Sequence, residues 1–453
     1  MNTSFFGELL QSISDRGRAL LDLATPRRGA ASRSEGLIDL CEELLSGRGE
    51  ASGAALAREI LSGYTGLTTG PRIAFFEALA LRFGADGVRL QAAIERWQES
   101  PTDHAIAELH TASEPRRQEL FRRFNLAPAG TAALVAMREQ LLDALDHRTD
   151  LTAVDADFTH LFSSWFNRGF LVLRRIDWST PAVILEKIIR YEAVHEIHDW
   201  DDLRRRIDMP DRRCYAFFHP ALVDEPLIFV EVALTREIPT AIDPILNKDR
   251  EVLEPQRAAT ATFYSISNCQ RGLGGVSFGS FLIKQVVEEI SREFPRLTTF
   301  VTLSPAPGFA DWLTQELDME NSGILSAQDR MALEPLRSDA WAEEPDTRSK
   351  LQEPLMRAAA CYFLTARAKN GSPRDPVARF HLGNGARLER INWLADVSPK
   401  GLRQSHGIMV NYLYDLADIE KNHEAYAETR AVVASNAVKR LGRTGARDLA
   451  TAG

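Results

Sequence analysis

The sequence predicts an α+β chain, an all-helical first part followed by a mixed part in which strands and helices alternate. Three observations predict it. Up to about residue 165 apolar residues recur at helical spacing, without strand-like alternation. After the stretch "SSWFNRGFLVLRRIDWS", short runs rich in aromatic and β-branched residues begin. Between residues 260 and 304 a strand, a glycine-rich turn, a helix and a further strand follow one another, which is a βαβ-like unit.

In the first part, "GPRIAFFEALALRFG" places Ile73, Phe76, Leu79, Ala80 and Phe83 on one helical face, with Pro71 near its start and Gly84 at its end. In "GTAALVAMREQLLDALDHR", Thr131 is positioned to cap a helix whose Leu134, Met137, Leu141 and Leu145 form one stripe. Such a bundle serves packing or oligomerisation.

The second part opens with the strands "RCYAFF" (213–218) and "PLIFVEVALT" (226–235), joined by the hairpin-like "HPALVDE". "TATFYSIS" (260–267) is a third strand, and "SFGSFLIKQVVEEISREF" is a helix with Phe278, Phe281, Leu282, Val286 and Ile290 on one face. "LTTFVTLS" (297–304) is a fourth strand. Helices follow around 326–334 and 350–367, then the strands "LERINWLA" and "GIMVNYLY", and the charged helix "DIEKNHEAYAETRAVVASNAVKRL" closes the fold.

Length and composition set the function classes. At 453 residues the chain exceeds one ordinary core, and 44% hydrophobic with 26% charged residues is a globular composition. No apolar run approaches the ~20 residues of a membrane-spanning helix. A net charge of -9 without a block of like charge argues against nucleic acid as partner. The four cysteines (Cys41, Cys214, Cys269, Cys361) show no metal or disulfide spacing, which fits a reducing compartment. The serine- and arginine-rich N-terminus is interrupted by Glu8, Asp15 and Asp22, and "DLATAG" at the other end is no peroxisomal address, so a cytoplasmic location is expected.

Between the third strand and its helix stands "NCQRGLGGVSFGS". Gly272, Gly274, Gly275 and Gly279 allow close approach of a ligand, and a helix start offers unpaired amides and a favourable dipole to phosphate. Neither a Walker loop nor a dinucleotide fingerprint is present. What remains is the pyrophosphate loop of GNAT-type acyltransferase folds, where coenzyme A sits at a helix N-terminus. The same glycines could equally serve a tight turn.

Three side chains stand out beyond it. Ser304 in "TLSPAPGF" closes a strand that Pro305 stops and Gly308 turns back, which fixes a hydroxyl where an α/β site opens. It lies in no G-x-S-x-G elbow. His381 stands between Phe380 and Leu382, ahead of an Asn-Gly turn, and reads as a core imidazole or a functional one. Tyr412 and Tyr414 share one strand face, and Tyr414 near its end can offer a hydroxyl to a cleft. The pair in "HEIH" (His195, His198) lacks a third metal ligand, which leaves a surface or interface role, and His406 reads as solvated in a polar turn.

Together and in this order, "SSWFNRGFLVLRRIDWSTPAVILEKIIRYEAVH", "PDRRCY", "FYSISNCQRGLGGVSFGSFLIKQVVEEISREFPRL", "LSPAPGF", "FHLGNGARLERINWLADVS" and "GIMVNYLY" resemble the malonyl-CoA decarboxylase family. The resemblance covers about residues 160 to 420 well and the first part more loosely. It implies a helical N-terminal domain (1–165) used in tetramer assembly and a GNAT acyltransferase-like α/β catalytic domain (166–453). The implied activity is conversion of malonyl-CoA to acetyl-CoA and carbon dioxide, with no metal and no organic cofactor, the CoA thioester being the substrate. By the same resemblance Ser304, His381 and Tyr414 match the active-site serine, histidine and tyrosine. Gly274, Gly275, Val276, Ser277, Phe278, Gly279 and Ser280, with Ile283 one turn on, match the thioester-binding segment. Ser277 stands where animal members carry a glutamate, and their peroxisomal tripeptide is missing. The implied chemistry is an enolate whose C2 the Ser/His pair protonates. A CoA-dependent acyltransferase, a serine thioesterase or a non-catalytic acyl-CoA sensor are the other readings.

Overall fold

A computed structural model of the chain describes residues 33–46, 49–276, 282–319, 322 and 324–442. The expected targeting-free N-terminus, and Ser277, Phe278, Gly279, Ser280 and Phe281 of the glycine-rich segment, lie outside the described residues. Two compact units divide the chain.

The first unit gathers the described residues up to Val172, Phe218–Leu227, and those described of Gln270–Phe278. It contains α1 (Arg33–Leu45), α2 (Glu50–Thr65), α3 (Thr69–Leu81), α4 (Gly87–Glu99), α5 (Asp103–Ser113), α6 (Arg116–Asn125), α7 (Gly130–Leu145) and α8 (Thr152–Trp165). The apolar stripes fall where the periodicity puts them. Phe76, Leu79 and Phe83 are buried, as are Leu134, Met137 and Leu141, and Phe121 stacks on Phe158 at 4.1 Å. Thr131, however, does not cap α7. Ala129 holds the cap position with φ 56°, and the Thr131 hydroxyl donates instead to Asn125 Oδ1 at 2.7 Å from inside the first turn.

Arg138 of α7 is a buried anchor in this unit. Its guanidinium donates to Asp155 Oδ1 at 2.7 Å, and to the carbonyls of both Gly272 and Gly274 at 2.8 Å. The first part of the glycine-rich segment is thereby clamped to α7, and a Cβ on Gly272 would lie 2.0 Å from the Val135 carbonyl oxygen. Close backbone packing explains Gly272.

The second unit is built on an eight-stranded sheet: β1 (Val172–Ile176), β2 (Arg212–Phe218), β3 (Pro226–Thr235), β4 (Thr260–Asn268), β5 (Thr299–Thr302), β6 (Ser304–Pro305), β7 (Arg387–Asn392) and β8 (Met409–Leu413). The order is β1-β2-β3-β4-β5-β8-β6, with β7 also paired to β8. Strands β4 and β5 run parallel, while β3/β4, β5/β8, β6/β8 and β7/β8 are antiparallel. The β4–β5 crossover carries α9 (Leu282–Glu293), which buries Leu282, Ile283, Val286, Val287 and Ile290 on one face. A helix-crossed parallel pair among antiparallel neighbours, after an all-helical region, is the α+β arrangement the sequence predicts.

Other details differ from the sequence reading. The fourth strand breaks at Leu303 into β5 and β6, and the closing helix ends at Thr429, where Arg430 takes φ 58°. The chain then returns to lay Ala434 beside Leu388 in a parallel bridge, and that pairing needs extended backbone. Asn384-Gly385 closes a helix instead of a hairpin. His406 is no solvated group: its ring packs edge-on to Trp341 and Phe309, and burial lowers its pKa to about 4. Of the HEIH pair, His198 is exposed, but His195 turns a buried Nε2 inward.

Candidate active site

The site grows from a defect in the sheet. Strand β4 pairs with β5 only from Thr260 to Phe263, and the Leu303 amide then donates to the Phe263 carbonyl at 2.9 Å. Past that point the same edge of β4 has no strand partner among the described residues. Tyr264 is the extra residue of a bulge opposite β3, where Glu231 faces Ser265 and Val232 faces Phe263. Bulges re-aim a strand and end pairing. The β4 and β6 edges therefore part, and the gap between them is a cavity of about 230 Å³.

On the other side of β5 the ladder to β8 is made partly by side chains. Backbone pairing holds at Val301/Leu413 and resumes at Ser304/Val410. Between them the Tyr412 amide donates to Thr302 Oγ1 at 3.1 Å, and Asn411 Nδ2 donates to the Thr302 carbonyl at 2.8 Å. Ser304 is thus the first residue of a two-residue strand held by β8, with Pro305 beside it.

His381 reaches the same point from α10 (Pro376–Gly383). This helix starts as its sequence dictates: Asp375 accepts the Ala378 amide at 2.7 Å, and proline fills the first helical position. Burial pushes the Asp375 carboxyl up to about 6, and the Tyr362 hydroxyl donates to it at 3.3 Å. Two turns on, His381 Nε2 lies 3.0 Å from Ser304 Oγ and Nδ1 lies 2.8 Å from Tyr414 Oη. Tyr412 stacks on the imidazole, with centroids 4.6 Å apart and planes at 25°. Tyr414 follows β8 directly, and its amide is tied to the Phe300 carbonyl at 2.8 Å.

Burial alone lowers the His381 pKa to about 3, and it raises the Tyr414 phenol well above its ordinary value. The imidazole is neutral at pH 7, so any hydrogen it gives comes from a neutral ring. Ser304 and His381 both line the cavity, with Val194, Phe263, Ile266, Val377 and Phe380 as apolar walls and Asn268 as a further polar group. No lysine or arginine stands among the described residues lining it. Among the described residues no group of three or more His, Cys, Asp or Glu is placed to hold a metal ion.

A family model described as the malonyl-CoA decarboxylase C-terminal domain matches residues 169–451, and its N-terminal companion matches residues 83–166. The chain belongs to the malonyl-CoA decarboxylase family. A crystal structure of malonyl-CoA decarboxylase from Rhodopseudomonas palustris is 59% identical, covers 90% of this chain and 99% of its own, and superposes with a TM-score of 0.88. One from Agrobacterium vitis is 56% identical, covers 90% of this chain and 99% of its own, with a TM-score of 0.85. A mitochondrial malonyl-CoA decarboxylase of the goose Anser anser anser is 36% identical over 417 residues, 84% of this chain and 82% of that protein.

The structure brings Ser304, His381 and Tyr414, named from sequences far apart in this family member, into one hydrogen-bonded chain. Of the expected thioester-binding segment it describes Gly274, Gly275, Val276 and Ile283. The Gly274 and Val276 amides donate to the Arg271 and Leu273 carbonyls within their own turn, Gly275 has φ 76°, and Ile283 is buried in α9. Sequence reasoning missed Thr302, Asp375 and the stacking of Tyr412. Thr302 and Ser304 are two residues apart on a strand and so share a face, which was a usable signal. Asp375 was legible as an acid before proline at a helix start.

Proposed function

We propose that the chain converts malonyl-CoA to acetyl-CoA and carbon dioxide, with Ser304 and His381 acting on the malonyl group. The observation that carries this reading is the Ser304–His381 pair, 3.0 Å apart, on the wall of a cavity whose described lining offers a carboxylate no cation. A malonyl carboxylate there is desolvated and unpaired. The bond from C2 to that carboxylate breaks, its electron pair passes to C2 and the thioester oxygen, and carbon dioxide leaves. Spreading a localised charge is favoured in such surroundings. C2 then takes a hydrogen from the Ser304–His381 pair, which solvent restores. Tyr414 supports the imidazole from Nδ1 without lining the cavity.

The free edge of β4 beside Tyr264, Ile266 and Asn268 suits an extended thioester arm, which can pair with peptide groups as a strand would. The CoA moiety is assigned, by the family resemblance, to the segment 274–280 and Ile283. The route calls for no metal or organic cofactor. Assembly as a homotetramer and a cytoplasmic location complete the reading; among the described residues no helix is long and apolar enough to cross a membrane.

The test is incubation with malonyl-CoA alone, followed by mass spectrometry of the products. Acetyl-CoA and carbon dioxide are expected. Free CoA with malonate would make the chain a thioesterase, turnover only after an amine is added would make it an acyltransferase, and tight binding without product would make it a sensor.

A further inference from the structure

Hydrogen-bond direction in the buried chain of side chains is decided by its two ends. Ser304 Oγ is 2.9 Å from Thr302 Oγ1, in the geometry of a bond that the serine donates. A serine hydroxyl carries one hydrogen. With that hydrogen given to Thr302, Ser304 can only accept at His381 Nε2, so Nε2 carries the ring hydrogen. The other end leads independently to the same tautomer. Tyr414 is buried, and among the described groups its hydroxyl meets only His381 Nδ1, at 2.8 Å. A buried phenol hydrogen without an acceptor is costly. It is satisfied when Nδ1 is the bare nitrogen.

Thr302 is itself held rigidly. It is fully buried, its Oγ1 accepts the Tyr412 amide at 3.1 Å, and its carbonyl accepts Asn411 Nδ2 at 2.8 Å. The Tyr412 side chain is the one stacked on the His381 ring. One threonine therefore meets the serine through its oxygen and the imidazole through the backbone of the residue that covers it.

We propose that Thr302 is a positioning residue that sets the direction of this chain of hydrogen bonds, Tyr414 to His381 to Ser304 to Thr302, and thereby fixes His381 as the Nε2–H tautomer. The inference rests on the Ser304–His381 reading above. Each hydrogen from Tyr414 to His381 then points toward Ser304, which lines the cavity. When the Ser304 hydroxyl turns from Thr302 to C2, its O–H bond breaks as the new C–H bond forms. The Nε2 hydrogen moves to Oγ and the Tyr414 hydrogen to Nδ1. In sum C2 gains one proton and the chain of side chains loses one, which solvent restores through the cavity where Ser304 lies.

Thr302→Val keeps the branched shape and removes the acceptor, so the Ser304 hydroxyl is freed to donate to Nε2 and competes with the Nε2–H form that Tyr414 favours. The expected result is a kcat lower by about tenfold or more with KM within about twofold, since positioned proton transfer contributes at least this much. Thr302→Ser restores the rate. Nitrogen NMR of the full chain labelled at histidine reads the tautomer directly, with the His381 signal assigned by its loss in His381→Asn. Wild type is expected to show Nε2–H, and Thr302→Val to lose part of it to Nδ1–H. A folded Thr302→Val with wild-type kcat overturns the proposal, and so does an Nδ1–H signal in wild type, which needs no variant to fold. Normal turnover in Ser304→Ala and His381→Asn would instead remove the catalytic reading and leave the tautomer measurement standing.

Discussion

Burial sets the chemistry available to His381. An imidazole at its ordinary pKa of about 6.5 would change charge across physiological pH. Here it is withdrawn from water without a carboxylate partner, and its pKa falls to about 3. The helix C-terminus on which it sits favours a cation, but that effect of about 1 kcal/mol is smaller than the cost of burying an unpaired charge. It follows that kcat has no inflection between pH 5 and 8 from this group. A pH–rate profile with an inflection near 6.5 that disappears in His381→Asn would contradict this. Ser304→Ala and His381→Asn should each lower kcat by roughly 10²-fold or more, with unchanged melting behaviour showing that the fold survives.

Elements matter through how closely their backbones approach. Gly385, just past α10, has φ 82°, and a Cβ there would lie 2.2 Å from the Ile419 carbonyl at the start of α11 (Ile419–Thr429). That helix holds the end of α10 with two further bonds, Asn422 Nδ2 to the Gly385 carbonyl at 3.2 Å and His423 Nδ1 to the Gly383 carbonyl at 2.8 Å. Gly385→Ala should therefore destabilise the chain by about 2 kcal/mol or more, beyond the left-handed strain of about 1 kcal/mol. Gly371→Ala is the control, because its φ is 78° and nothing lies within 4 Å of the added Cβ. Denaturant midpoints for the two variants isolate the clash. Equal losses would mean that α11 yields freely and does not fix the helix bearing His381.

Over the whole molecule, buried titrating groups oppose one another. His195, His381 and His406 have pKa values near 4, 3 and 4, so unfolding takes up protons below pH 6.5 and stability falls as the solution is acidified. Burial raises Glu231 to about 8 and Asp375 to about 6, so the folded chain holds protons the unfolded chain has lost. That contribution is present below the ordinary carboxylate range and fades as pH rises through 6 and 8. From pH 8 down to 6.5 Glu231 dominates and stability rises; below 6 the three imidazoles outweigh the two acids and it falls. Denaturation from pH 4.5 to 8.5 should show maximal stability near pH 6, and His406→Phe should flatten the acid side. Stability still rising below pH 5 would count against neutral buried histidines.

Periodicity alone determined the α+β class, the helical first part and most of the strands of the second, because burying an apolar face is a local demand written every two or 3.6 residues. Resemblance of whole segments then singled out Ser304, His381 and Tyr414 before any contact among them was known. What the sequence left open was set by packing at long range. The break at Leu303 exists because Thr302 and Asn411 side chains replace backbone rungs to a strand more than a hundred residues away. Gly272 is required by a carbonyl of α7, not by its own turn. The neutral state of His381 and the direction of its hydrogen bonds depend on what surrounds the ring in three dimensions, and no spacing of residues along the chain encodes a dielectric.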